Sequence, residues 1–234
     1  MSAELLSAAE LAALAALDTP TICNALEVAA PKRRGLGYTI RPLVCASPEL
    51  DPIVGYARTA TIRSMHPSGR SAAADLAIRM AYYEHMGSPP QPTITVIEDL
   101  DDPAGYGAHW GEVHTHVHRG LGSLGVITNG SIRDLPMNAP GFQLLAGSIG
   151  PSHAYVHVEE VAVAVTVMGM SVRPGDLLHA DRHGAVVIPH DVARSLPAVA
   201  ADLAAKELIL IEASKRPGFS ASVIADIIGG NAGH

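Results

Sequence analysis

The run Gln-Pro-Thr-Ile-Thr-Val-Ile-Glu-Asp-Leu at residues 91–100 constrains the fold most strongly. Its β-branched residues follow one another almost without a polar break. A strand wet on one face alternates, whereas a near-continuous apolar strand is typical of one covered on both faces. A second buried run, Gly-Val-Ile-Thr at 125–128, follows a helix-like stretch. Buried strands separated by helical segments predict a layered α/β or α+β domain with a mixed sheet.

The flanking segments extend this pattern. Residues 3–17 carry an apolar stripe and read as a helix. Asp18-Thr19-Pro20 closes it and opens a short second helix, with Thr19 as N-cap and Pro20 at the first helical position. Residues 31–38 form a turn-rich loop and 53–64 a strand. Residues 71–87 read as a helix ended by Gly87, and 107–120 as a helix ending at Gly120. After a short apolar element at 142–151, residues 155–172 alternate as one or two strands. Residues 173–191 read as turn, strand, turn and strand, and a closing helix follows with Pro197 near its start. No repeat of 20–50 residues and no low-complexity linker interrupts the chain. Residues 1–234 therefore read as one domain, with N-terminal helices over about 1–30 and a C-terminal helix over about 191–215.

Composition narrows the function. Hydrophobic residues make up 48% but aromatics only 4%, so the core is built from Ala, Val, Ile and Leu. A net charge of −7 without a basic block argues against a nucleic-acid partner. Cys23 and Cys45 lie far apart with no CxxC, which points to a reducing compartment and buried thiols. The N-terminal stretch lacks a basic region, and Glu4 and Glu10 interrupt it. No apolar run approaches the roughly 18 residues of a membrane span. The expectation is a cytoplasmic protein without a membrane partner.

Several chemistries are disfavoured by what is missing. The chain has neither GxxxxGK[ST] nor GxSxG. Gly-Leu-Gly-Ser-Leu-Gly at 120–125 is glycine-rich but precedes a strand instead of following one, the wrong context for a dinucleotide loop. The three lysines, Lys32, Lys206 and Lys215, sit in polar or terminal settings unsuited to a Schiff base. Histidine is abundant at 12, and His109, His114, His116 and His118 cluster in one segment. On a strand, His114 and His116 would share a face, as in a cupin-like metal site. On a helix, His114 and His118 would share one. HExxH is absent, and the plainer reading is a histidine-rich, partly exposed helix.

The segment Gly-Val-Ile-Thr-Asn-Gly-Ser-Ile-Arg-Asp-Leu-Pro places Arg133-Asp134 in a loop beyond a buried strand. Twenty residues upstream of that pair, Glu112 follows Trp110-Gly111 at a helix start. Unpaired N–H groups at a helix start bind anions. In a strand–loop–helix layout, that helix start and the loop after the next parallel strand can share one sheet edge. Asp134 is then a candidate ligand for Mg²⁺ or Mn²⁺, and Arg133 a candidate fork onto a substrate carboxylate or a developing oxyanion. An ordinary loop ion pair fits the spacing as well.

Together these residues resemble the RraA-like family, which includes metal-dependent class II pyruvate aldolases for 4-hydroxy-4-methyl-2-oxoglutarate and 4-carboxy-4-hydroxy-2-oxoadipate. The resemblance runs from about residue 18 to 189. It includes Asp-Thr-Pro-Thr-Ile-Cys-Asn-Ala-Leu at 18–26, the 109–134 segment, and Val-Arg-Pro-Gly-Asp-Leu-Leu-His-Ala-Asp-Arg-His-Gly-Ala-Val-Val-Ile-Pro at 172–189. It implies an α/β sandwich with a β/β/α swivelling-domain core, assembled as a homotrimer or hexamer with sites near subunit interfaces. It also implies that Asp134 ligates the metal and that Arg133 contacts substrate and stabilises enolate charge. Glu112 would organise water at the metal. The backbone of Gly111, Val113 and His114 would receive the carboxylate of a small 2-oxo acid.

The chain departs from the pattern at three places. The characterised aldolases commonly have Asp where this chain has Glu112. The loop after Asp134 lacks the acid often found three residues on, and residues 150–160 are rich in His and Glu. The family also contains regulators that bind a ribonuclease, so a non-catalytic regulatory protein is the alternative. Asp176 and Asp181 read as turn formers, and Cys23 as helix packing. His179 and His183 are candidates to approach a neighbouring subunit's site. His153 and His157 are candidates to line a substrate pocket.

Overall fold

Residues 5–230 are described in the structure, a computed structural model. Helices α1 (Ala8–Ala15) and α2 (Thr19–Ala29) lead into strands β1 (Val44–Cys45) and β2 (Ile53–Arg63). Helix α3 (Ala72–Met86), strands β3 (Thr93–Asp99) and β4 (Ala108–Trp110), and helix α4 (Glu112–Gly120) follow. Next come β5 (Ser123–Thr128), β6 (Ser131–Ile132), β7 (Gln143–Ala146) and β8 (Ser148–Ile149). The β-rich section holds β9 (His157–Val161), β10 (Val165–Val167), β11 (Met170–Val172), β12 (Leu177–Asp181) and β13 (Gly184–Ile188). Helices α5 (Leu196–Ser214) and α6 (Ala221–Gly230) close the described chain.

The main sheet runs β1-β7-β5-β3-β2-β12-β13. Its centre, β7-β5-β3-β2, is parallel, while β1 and β12 pair antiparallel at its flanks. β2 is long enough to pair twice on its second side. Its first half takes β12 and its second half takes β9. The predicted mixed sheet is therefore present, and β3 is buried along nearly its whole length.

Side-chain alternation sorts the core into layers. On one face, Ala57, Ile94, Val96, Ile127 and Leu145 meet the β10–β11 hairpin through Val165, Val167, Met170 and Val172. On the other face, Val54, Tyr56, Leu177, Val186 and Ile188 pack against α1, α2 and α5. The same face continues through Ala60, Ile62, Ile97, Val126 and Leu144, which meet Tyr82 and Met86 of α3 and Trp110. Hairpin, sheet and helices form a β/β/α stack.

Local chemistry sets element ends differently from the expectation in several places. Ser7, not a residue further upstream, caps α1 through a reciprocal box with Glu10. Residues 3 and 4 of the expected helix lie outside the described residues. Asp18, not Thr19, caps α2: its carboxylate accepts the Thr21 N–H at 2.8 Å, leaving Thr19 and Pro20 as the first two helical residues. The C-terminal helix begins at Leu196, after one 3-10 turn at Ala193–Ser195, with Pro197 in its first turn where no N–H is required. A second helix, α6, lies beyond it. Residues 155–172 form three strands, because a turn at Met168-Gly169 folds the last two into a hairpin.

His179 and Asp181 clamp the start of α2 onto β12. The carbonyl of Leu17 can only accept, so His179 Nε2 donates to it at 2.9 Å and Nδ1 accepts the Thr19 hydroxyl at 3.0 Å. Asp181 accepts the Thr19 N–H at 2.8 Å and the His183 N–H at 2.7 Å. This corrects one expectation and extends another. His179 is fully buried within its own chain and does not face a neighbour. Asp181 forms the expected turn through the His183 N–H and in addition fastens elements distant in sequence. Asp176 does form a turn, accepting the Arg173 N–H at 2.8 Å. Cys23 packs beside this core, and burial pushes its thiol pKa up to about 11.

A second buried polar cluster lies between α3 and α4. His118 Nδ1 donates to the His114 carbonyl at 2.6 Å, so its Nε2 accepts the Tyr82 hydroxyl at 2.6 Å. His109 and His114 pack edge to face, with centroids 4.1 Å apart. Burial depresses the pKa of every one of these histidines: His114 to about 4, His118 to about 3, His109 well below its usual value. His179 is lowered by the same cause.

Two predictions follow from these clusters. Asp181→Ala leaves two backbone donors without their acceptor and should cost about 2–3 kcal/mol, read from the urea midpoint. The histidines are neutral when folded but take protons at pH 6.5 when unfolded. Their contribution is full above that pH and is lost as the pH falls toward about 4. The urea midpoint should decline across this window, and a flat midpoint would contradict the neutral clusters.

Candidate functional site

The residues at the corner are brought together by a small sheet separate from the main one. Strands β4, β6 and β8 pair in parallel, with Trp110 beside Ile132 and Ile132 beside Ile149. The helix start expected at Glu112, after Trp110-Gly111, is present. Residues 107–111 also read as helical, and the Arg-Asp loop is expected to leave directly from the 125–128 strand. Instead, β4 precedes α4, and β6 intervenes before Arg133. The cause is Asn129, whose side chain accepts the Asp99 N–H at 2.8 Å and donates to the Asp99 carbonyl at 2.9 Å. This pins the end of β5 to the end of β3, and the chain then starts a new strand.

Parallel neighbours advance together, so the residues leaving β4 and β6 emerge side by side. The Arg133 N–H donates to the Trp110 carbonyl at 2.8 Å. Gly111 caps α4, and Glu112 is its first residue. The Glu112 N–H donates to Asp134 Oδ2 at 3.4 Å, and Arg133 Nε lies 3.5 Å from the same oxygen. The N–H groups of Val113 and His114, in the unsatisfied first turn of α4, have no partner among the described residues. Glu112, Arg133 and Asp134, separated by twenty residues of sequence, thus meet at one corner.

The corner is held in a costly backbone shape. Asp134 sits in the left-handed region at φ 54° and ψ 37°, which L-residues other than Gly seldom occupy. Its carbonyl accepts the Met137 N–H at 2.8 Å. Asn138 Nδ2 donates to the Arg133 carbonyl at 3.2 Å, while Thr115 Oγ1 accepts the Ala139 N–H at 2.9 Å and binds the loop to α4. A Cβ on Gly111 would lie 2.5 Å from Asp134 Oδ2, so only glycine leaves room for the carboxylate over the helix start.

Metal chemistry follows from the donors present. Among the described residues no three His, Cys, Asp or Glu side chains gather as a ligand cage. Asp134 is 36% exposed and Glu112 is exposed beside it. One carboxylate open to solvent, with a second nearby, suits Mg²⁺ or Mn²⁺, which keeps several waters. The histidines do not form a cupin-like pair. His114 and His116 lie on a helix, not a strand, and His116 is exposed while His114 turns into the aromatic cluster.

Beside the corner, a cavity of about 390 Å³ opens between α3, His109 and His114, and residues 156–158. His157 lines it, with its ring 2.7 Å from Glu159 Oε1. His153 lies on the surface and binds the Ala154 carbonyl. His183 is half exposed, with its ring 3.1 Å from Asp181. Sequence reasoning did not single out Arg79, Tyr82 or Tyr83 of the cavity wall. Their only signal was the amphipathic pattern of α3.

Comparison with known proteins bears on the whole chain. No curated protein matches the sequence. An uncharacterized protein from Pseudomonas syringae pv. tomato str. DC3000 has a similar structure, with 20% identity, 93% of this chain and 96% of that one covered, and a TM-score of 0.67. Streptomyces coelicolor RraAS2, described as an unusual member of the RNase ES inhibitor RraA protein family, shares 22% identity. Its match covers 91% of this chain and 99% of its own, with a TM-score of 0.67. The RNA-processing inhibitor RraA from Thermus thermophilis matches 71% of this chain and 92% of its own, at 20% identity and a TM-score of 0.51. At these identities the structures show the fold, a layered α/β architecture of RraA type. The RraA-like family model, described as Aldolase/RraA, matches residues 19–187, and the chain belongs to that family.

Proposed function

We propose that the protein is a divalent-metal-dependent lyase. It cleaves a 4-hydroxy-2-oxo acid to pyruvate and a carbonyl product through a pyruvate enolate, and it decarboxylates oxaloacetate at the same site. The observation that carries this reading is the meeting of Glu112, Arg133 and Asp134 at the open first turn of α4. Asp134, with Glu112 acting through water, would hold Mg²⁺ or Mn²⁺. The ion, when bound, supplies Lewis-acid polarisation of the 2-oxo group.

The chain's own groups account for the other requirements. The free N–H groups of Val113 and His114 receive the substrate carboxylate, favoured by the positive end of the helix. Glu112 orients the water that takes the 4-hydroxyl proton. The C3–C4 bond then breaks, its electron pair moves into the enolate, and Arg133 stabilises the developing charge. Water returns a proton to C3. With oxaloacetate, carbon dioxide is the leaving fragment and the same enolate forms. Val113, Leu135 and Met137 expose apolar surface around the corner. That surface suits a neighbouring subunit in a homotrimer or hexamer, which would shield the enolate from water.

Pyruvate release from oxaloacetate and from 4-hydroxy-4-methyl-2-oxoglutarate tests the reading, with Mg²⁺, with Mn²⁺ and with chelator. Release should require metal, and Asp134→Ala should lower it by about a hundredfold or more. Arg133→Lys should fail nearly as badly, because a point charge does not reproduce the guanidinium fork. Gly111→Ala should also depress kcat/KM by displacing the Asp134 carboxylate while leaving the fold intact. Absence of release with either metal would overturn the lyase reading. It would favour the alternative, a non-catalytic regulator that binds a ribonuclease, as RraA relatives are named.

A further inference from the structure

The cavity between α3 and the histidine cluster has the chemistry of a ligand site. Its walls are aromatic: Tyr82 and Tyr83 from α3 face the rings of His109 and His114. Val156 and Val158 close the remaining side with apolar surface. Arg70 lines the cavity but is already satisfied. It pairs with Asp75 at 2.8 Å, reaches Glu159 at 3.4 Å, and donates to the Val158 carbonyl. Arg79 is different. It is exposed at the cavity wall with no hydrogen-bond or ion-pair partner among the described residues. Asp75 is already bound to Arg70, so the cavity carries one uncommitted positive charge above a neutral aromatic floor.

Two histidines of the floor also carry buried nitrogens without a partner. His109 is 8% exposed, and its Nδ1 has no partner. The Tyr82 hydroxyl is committed as a donor to His118, so His109 Nε2, 3.5 Å away, can only donate to it. His109 Nδ1 is therefore a bare acceptor. His114 Nδ1 is likewise buried without a partner. Orphaned buried polar atoms carry a desolvation cost.

His114 connects this cavity to the corner. Its backbone N–H belongs to the open first turn of α4, while its ring forms part of the cavity wall.

We infer that this cavity binds a small planar organic carboxylate and serves as the compartment for the carbonyl-product half of the substrate. The flat body lies against Tyr83, His109 and His114, and the carboxylate meets Arg79. The cavity's preference stands on its own lining; which half of the substrate enters rests on the lyase reading above.

Benzoate and its neutral isostere benzamide are suitable probes, because binding is read without turnover. Both should perturb the ring resonances of His109 and His114 in NMR titrations of the whole protein. Benzoate should bind more tightly, and Arg79→Ala should weaken benzoate by about tenfold while leaving benzamide unchanged. Arg79 is exposed, so this variant folds normally. Arg79→Ala should also raise KM for 4-hydroxy-4-methyl-2-oxoglutarate, with less effect on oxaloacetate. Benzoate should compete with 4-hydroxy-4-methyl-2-oxoglutarate in pyruvate release. Equal benzoate binding by wild type and Arg79→Ala, or no ring shifts with either probe, would overturn the inference. Binding without competition would refute the compartment. Pyruvate release absent under all conditions, with Arg79-dependent binding present, would sink the lyase reading but leave the carboxylate site standing.

Discussion

Covering both faces of a single sheet is the constraint on which the molecule depends. β2 and β3 are buried along almost their full length, so each needs apolar partners above and below. The β10–β11 hairpin covers one face, and helices α1, α2, α3 and α5 share the other. Eleven residues of β2 reach far enough to take β12 and β9 end to end on one edge. This ties the β-rich C-terminal half of the chain onto a sheet begun by the N-terminal half. Without that long strand, residues 157–188 would lack a shared edge with the α/β section.

The candidate site sits where the main sheet hands the chain to a smaller one. Asn129 ends β5 by binding the Asp99 backbone, and the chain re-enters a strand beside β4. The pairing of Trp110 with Ile132 then places Gly111 next to Arg133. The rigid ends of β4 and β6 bring Glu112, Arg133 and Asp134 to one corner, and the left-handed turn at Asp134 places its carboxylate over the helix start. The absence of a Cβ at Gly111 makes that approach possible.

Histidine has several roles here, decided by what surrounds each ring. His179 joins α2 to β12, and His118 joins α4 to Tyr82 of α3. His109 and His114 sit within the same desolvated layer yet keep a nitrogen free. Twelve histidines in a sequence invite a metal. The buried ones that have partners spend their nitrogens on carbonyls and hydroxyls, so the dense 109–118 segment becomes a cavity wall instead.

Much of this was legible from sequence because the signals were local. The β-branched run at 93–97 specifies a strand covered on both faces, and the 112–134 spacing anticipates a helix start meeting a loop. Helix ends were harder, since Asp18 and Thr19 are both good caps and only geometry selects one. The strand β6 was hidden because two residues carry no periodicity. The clamp of His179 and Asp181 on Thr19 spans about 160 residues, and no local pattern encodes it. The cavity likewise depends on α3 and α4 packing ring against ring. By itself, the sequence determined the layered α/β class and the residues that could carry chemistry, since side-chain periodicity and residue type are written along the chain. Tertiary structure alone decided which of those residues meet, because contact across separate strands follows from register and packing.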